Sequence, residues 1–133
     1  MGEMPNTDGG RATIQSYRDL LVWQKGMVLA EACYRVTAHL PKEETYGLMS
    51  QIRRAAVSIP ANIAEGHGRD STGSFIQHLR IAQGSLKELE TELLLTKRVN
   101  ILKSEDLTDV FSTADELGKM LRALIRSLQN PSR

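Results

Sequence analysis

Four segments of this chain repeat apolar residues at steps of three and four, and none alternates at step two as a half-buried strand would. The first runs from about Asp19 to Leu40 and aligns Leu20, Trp23, Met27, Ala30, Tyr34 and Thr37 on one face. Leu40-Pro41 ends it, because a residue before proline is pushed out of the helical region. The second runs from about Lys42 to Glu65, with Leu48, Ile52, Ala55, Ile59 and Ile63 as its stripe. Glu43 and Glu44 suit the positive end of its dipole, and Gly66-His67-Gly68 closes it. The third carries Phe75, Leu79, Ala82, Leu86, Leu89, Leu93 and Thr96, with Asp70 or Ser71 as N-cap and Asn100 as its stop. The fourth starts with Ser104 as N-cap, carries Leu107, Val110, Ala114, Leu117, Leu121, Leu124 and Leu128, and is followed by Pro131.

Four amphipathic helices of similar length with short connections bury their stripes best as an all-α, antiparallel up-down-up-down four-helix bundle. The expected bundle covers residues 17–130, after a flexible tail at 1–16 that is rich in Gly, Asn, Asp and Thr. Pro60 lies inside the second helix, where it removes a backbone donor and predicts a kink. Ser58 and Asn62 stand on either side of it, placed to rebuild local hydrogen bonding. Ala55, Ala56, Ala61 and Ala64 thin one side of this helix and permit a close approach.

Composition narrows the class without naming a reaction. At 133 residues, the chain makes one domain with a sizeable core, and with aromatics at 5% that core must be aliphatic. Cys33 is the sole cysteine, which precludes an internal disulfide and fits a reducing, cytoplasmic setting. No apolar run approaches the ~18–20 residues that a bilayer demands. The start lacks the basic-then-apolar order of a signal peptide. A net charge of +1 argues against a dedicated duplex-binding domain, yet leaves room for a local basic patch.

Candidate chemistry is sparse. Arg53 and Arg54 are the sharpest polar feature, and they point about 100° apart on a helix. One reading is phosphate contact through the planar guanidinium fork; the other pairs one arginine with a carboxylate and leaves its neighbour solvated. Gly68 and Gly73 have the glycine spacing of a Walker A loop, but Ser74 stands where lysine is needed and no strand precedes, so the segment reads as a helix–helix turn. His39, His67 and His78 lack partners at three or four residues, and Glu88 and Glu92 lack the histidine of a di-iron pair, so neither metal nor cofactor is expected. Lys119, Arg122 and Arg126 in the second half of the fourth helix read as dipole complements. Antiparallel folding gathers Arg18, Arg69, Arg126 and Arg133 at one end against Asp19, Glu65 and Asp70. Repeated around a symmetry axis, that excess would line a basic mouth, which makes Arg69 and Arg126 further candidates for nucleic-acid contact.

The stretch Gln51–Gly66, QIRRAAVSIPANIAEG, is the most specific segment of the chain. With Asp19-Leu20-Leu21-Val22-Trp23, Leu40-Pro41, Tyr46-Gly47-Leu48 and Ile81 through Thr91, it resembles the proteins encoded within intervening sequences of bacterial 23S ribosomal RNA genes. Within that resemblance Ser58, Pro60, Asn62, Glu65 and Gly66 form a structural motif. The resemblance implies a four-helix bundle assembled as a ring, most often of five subunits. It also implies a distant kinship with the accessory protein of diversity-generating retroelements, which works beside a reverse transcriptase and RNA. Apolar residues outside the main stripes (Leu21, Val28, Ile76, Ile81, Phe111 and Ile125) independently predict self-association. Two readings follow. One is a non-enzymatic homo-oligomeric scaffold with RNA or a nucleic-acid enzyme as partner. The other is a purely protein-binding or structural oligomer.

Overall fold

The computed structural model describes residues 14–130, so most of the tail at 1–16, and Pro131 and Arg133, lie outside the described residues. Four helices form: α1 Leu21–Thr37, α2 Leu48–His67, α3 Thr72–Arg98 and α4 Ser104–Gln129. The architecture is the expected all-α four-helix bundle. Each helix packs on its neighbours in sequence, α4 closes back on α1, and the backbones of the diagonal pairs stay further apart among the described residues. Gly26 lies against Pro60 while Arg53 reaches back to Thr37, and Leu86 lies beside Gly118 while Lys25 meets Glu116. The core is aliphatic: Leu29, Ile52, Ile59, Ile63, Leu79, Leu86, Leu89, Leu93, Leu107, Leu117 and Leu121 are fully enclosed. Fully burying one such side chain stabilises by about 1.5–3 kcal/mol, which offsets the cost of ordering it.

The helix ends follow local chemistry. Before α1, Ser16 caps a short 3-10 turn, Tyr17–Asp19, in a reciprocal box: the Arg18 N–H donates to Ser16 Oγ at 3.1 Å and the Ser16 N–H to Asp19 Oδ2 at 3.2 Å. That turn makes Asp19 and Leu20 an entry to α1 and not its first residues. At the other end α1 stops at Thr37, three residues before Leu40, because bonds from His39 to Val36 and Leu40 to Thr37 tighten the chain early. Residues Lys42–Glu44 form a separate 3-10 turn, so α2 begins six residues later than the pattern predicts. Glu44 still serves the dipole, accepting the Leu48 N–H through Oε1 at 3.1 Å. Ser71 caps α3, accepting the Ser74 N–H at 3.1 Å.

Asn100 stops α3 in the left-handed region, at φ 63°. Its N–H reaches the Lys97 carbonyl and that of Ile101 reaches the Thr96 carbonyl, the paired bonds of a Schellman ending. Lys103, not Ser104, occupies the N-cap of α4, and no side chain caps that end.

Two expected stripes turn out rotated. On α1, Met27 and Tyr34 are exposed, whereas Val22, Leu29, Cys33 and Val36 face the core. On α4, Ile125 joins the core while Leu124 and Leu128 are only half-buried. The stripes of α2 and α3 are buried as expected, apart from half-buried Leu48 and Phe75.

Candidate nucleic-acid interface

The signature segment builds the α2–α3 junction. Pro60 sits buried inside an uninterrupted α2 and supplies no N–H to the Ala56 carbonyl. Ser58 Oγ donates to the Ala55 carbonyl at 2.9 Å, and Asn62 Nδ2 donates to the Ser58 carbonyl at 2.8 Å. Both polar side chains bond backbone carbonyls around the proline, but neither reaches the Ala56 carbonyl that Pro60 leaves without a helical donor. One turn on, Glu65 Oε2 accepts from Arg69 at 2.7 Å and lies 3.6 Å from His78 Nε2. The Arg69 guanidinium, by hydrogen bond and charge, holds the Glu65 carboxyl below the usual carboxylate range, with a smaller contribution from His78. His78 Nδ1 lies 2.9 Å from the Ser74 carbonyl and must carry the proton there, since a carbonyl only accepts. Gly66 allows all of this, because α3 passes directly over it.

The paired arginines separate in role. Arg53 Nε donates to Thr37 Oγ1 at 2.9 Å and Nη2 to the Tyr34 carbonyl at 3.1 Å, while its guanidinium covers the Tyr34 ring at 4.4 Å. It thus secures the last turn of α1, where carbonyls lack helical partners. No carboxylate is involved. Arg54 is exposed and meets only Ser50 Oγ, at 3.3 Å. Arg53 and Arg54 lie near the start of α2 and Arg69 lies just past its end, a separation of about 24 Å along the axis. The four sequence-identified arginines therefore do not converge.

The third acidic side chain of α3 is also unusual. Glu92 is only 9% exposed, and its Oε1 has no hydrogen-bond partner. Among the described residues, no three His, Cys, Asp or Glu side chains converge on a point that would hold a metal ion. No helix among them is long and apolar enough to cross a membrane.

A basic groove lies elsewhere, between α3 and α4. Arg80, Gln83, Gly84, Leu86 and Lys87 line one wall, and Gly118 and Arg122 the other, around about 420 Å³. Arg80 and Arg122 make no ion pair among the described residues; Lys87 meets Glu90 at 3.2 Å. Dipole complementation does not explain Arg122. The effect fades beyond the last turn, and of the basic residues on α4 only Arg126 stands there. The sequence signal for this site was the seven-residue step from Arg80 to Lys87, legible only once α4 is known to lie alongside.

These features define an all-α four-helix protein with a proline-bearing second helix, a glycine-mediated α2–α3 crossing and a segregated basic groove. The family model for the 23S rRNA-intervening sequence protein matches residues 18–123, and the chain belongs to that family. Its fold is similar to that of a protein of unknown function from the S23 ribosomal protein family of Bacteroides thetaiotaomicron, at 27% identity and a TM-score of 0.71, over 79% of this chain and 98% of that one. No curated protein matches the chain.

Proposed function

We propose that this protein acts by binding and not by catalysis: a cytoplasmic, self-associating four-helix scaffold that works with RNA or with an enzyme that handles nucleic acid. The observation that carries self-association is the apolar surface left in water. Leu21 is 66% exposed, and Val28, Met27, Tyr34, Val57 and Ile81 are also exposed on the outer sides of α1, α2 and α3. Met27, Tyr34 and Val57 share one groove between α1 and α2, of about 500 Å³. A second copy covering such surface removes the apolar area from water. A five-fold ring is the assembly that family resemblance implies. The RNA half of the reading draws support from the family's name, which places its genes within 23S rRNA intervening sequences, and from the segregated cations of α3 and α4.

Light scattering tests the assembly: a ring gives a multiple of the 14.8 kDa protomer mass, and a monomer at micromolar concentration would refute it. Titration with structured RNA, with and without 23S sequence, across a salt series tests the partner. Affinity that falls steeply with salt supports a phosphate-binding surface. The second reading, a protein-binding or structural oligomer without nucleic acid, is favoured by the net charge of +1 and by the internal bonds of Arg53 and Arg69. Absence of RNA binding at low salt would leave that reading in front.

A further inference from the structure

We propose that the groove lined by Arg80, Gln83, Lys87 and Arg122 is this protein's site for the phosphodiester backbone of a nucleic-acid strand. The proposal rests on the RNA half of the reading above and assigns it a place.

The cations there are uncommitted. Arg53 is spent on α1 and Arg69 on Glu65, whereas Arg80 and Arg122 are exposed and have no carboxylate within ion-pair distance among the described residues. The nearest neutralising pairs, Lys87 with Glu90 and Lys119 with Asp115, are exposed contacts at 3.2 and 3.5 Å. Pairs of that kind exchange readily for another anion, since each contributes about 0–1 kcal/mol.

The cations also form rows. Arg80 and Lys87 are two turns apart on α3, about 10 Å, and Arg126 stands one turn, about 6 Å, beyond Arg122 on α4. A row along two parallel walls suits a linear polyanion better than a single phosphate group.

Glycine keeps the groove open. A Cβ at Gly84 would meet nothing within 4 Å, and one at Gly118 would lie 3.7 Å from Arg122 Nη1. A strand can therefore approach the α3 backbone at exposed Gly84, whereas Gly118 is buried beneath Leu86 and the Arg122 guanidinium. Gln83 adds an amide able to donate to a phosphate oxygen or accept from a 2′-hydroxyl. Leu86 is the one large apolar residue of the lining and is itself buried, so the side chains left to meet a ligand are Arg80, Gln83, Lys87 and Arg122.

The test uses the full chain and fluorescence anisotropy with an oligouridine RNA, an oligothymidine DNA of equal length and inorganic polyphosphate as separate probes. The variants are Arg80→Glu/Arg122→Glu, then Gly84→Glu, which inserts a carboxylate into open space without deleting a cation. Lys42→Glu/Lys103→Glu makes the same net change as the double variant, away from both grooves. Circular dichroism and light scattering report fold and assembly for each. The expected result is that both groove variants bind nucleic acid at least about tenfold more weakly, with the double variant's salt slope reduced by roughly 1.4 and the control little changed. Wild-type binding that survives both groove variants would overturn the site and leave the RNA reading standing. No nucleic-acid binding by wild type at low salt would overturn both. Equal groove-dependent affinity for polyphosphate would reduce the site to a general polyanion surface and overturn the phosphodiester assignment.

Discussion

Gly66 on α2 and His78 on α3 are in direct backbone-to-side-chain contact: a Cβ added at Gly66 would lie 2.5 Å from His78 Cβ and 3.2 Å from Phe75 Cδ1. Side-chain carbons do not approach so closely, so a larger residue at position 66 must push α3 away. The same crossing carries the Glu65–His78 contact and the edge-to-face packing of His67 on Phe75 at 5.7 Å.

Gly66→Ala should therefore destabilise the protein, although alanine is the better helix former. Overpacking of this kind costs about 1–3 kcal/mol. Gly26→Ala is the control, since a Cβ there would meet Pro60 Cβ at 3.5 Å, an ordinary contact. That change should be neutral or stabilising by roughly 0.5–1 kcal/mol. Thermal melts of the two variants decide it: equal melting temperatures would show that the crossing relaxes without cost.

Arg53→Ala should weaken the α1–α2 pair and leave nucleic-acid binding unaltered. The side chain holds Thr37 Oγ1 and the Tyr34 carbonyl at once, and Thr37 Oγ1 in turn donates to the Cys33 carbonyl at 2.6 Å. Losing charge-assisted bonds to partly buried acceptors costs about 1.5–3 kcal/mol. Arg53→Lys should rescue little, because an ammonium has no planar fork to span both acceptors and stack on Tyr34. Urea melts with a double-mutant cycle against Thr37→Val measure the coupling; additive losses would exclude it.

The bundle was legible because the stripes of α2 and α3 each offer one apolar face. Periodicity alone could not orient α1, where Met27 and Tyr34 form one run and Val22, Leu29, Cys33 and Val36 another. Both runs have helical spacing, and only packing against α2 and α4 decides which is buried. Asn100 and Ser71 were readable because their side chains favour the conformations they adopt. Ser104 misled for a related reason: Lys103 already has the extended backbone of a cap, and Ser104 is the first helical residue. The signature polar residues were correctly placed beside Pro60. The basic groove was not legible, because Arg80 and Arg122 are far apart in sequence and meet only through the register of α3 against α4.

Cys33 should behave as an unreactive thiol in the folded state. It is fully buried in α1, and burial pushes its pKa up to about 12. Only the thiolate attacks an alkylating agent, so the folded protein at neutral pH should resist modification. Labelling with iodoacetamide should be slow in buffer and complete in denaturant, at a rate set by opening of α1. Rapid native labelling would mean that α1 detaches readily from the core.

Glu92 should make the protein more stable in mild acid than above neutrality. Desolvation pushes its carboxyl up to about 7 from the ordinary 4.5, and the Glu88 carboxylate pushes the same way. Between those two values the folded chain holds a proton that the unfolded chain has released. Stability therefore falls as pH rises through that window, and the whole penalty is in force above it. The orphaned Oε1 gives the penalty its structural basis, since a buried charged oxygen without a donor loses its hydration and regains nothing. Glu92→Gln removes the charge while keeping the shape. It should stabilise the protein at pH 8 by up to about 3 kcal/mol and have little effect at pH 4. Chemical denaturation of both proteins across that range is the measurement. A variant that gains nothing at pH 8 would show that burial does not penalise the Glu92 carboxylate.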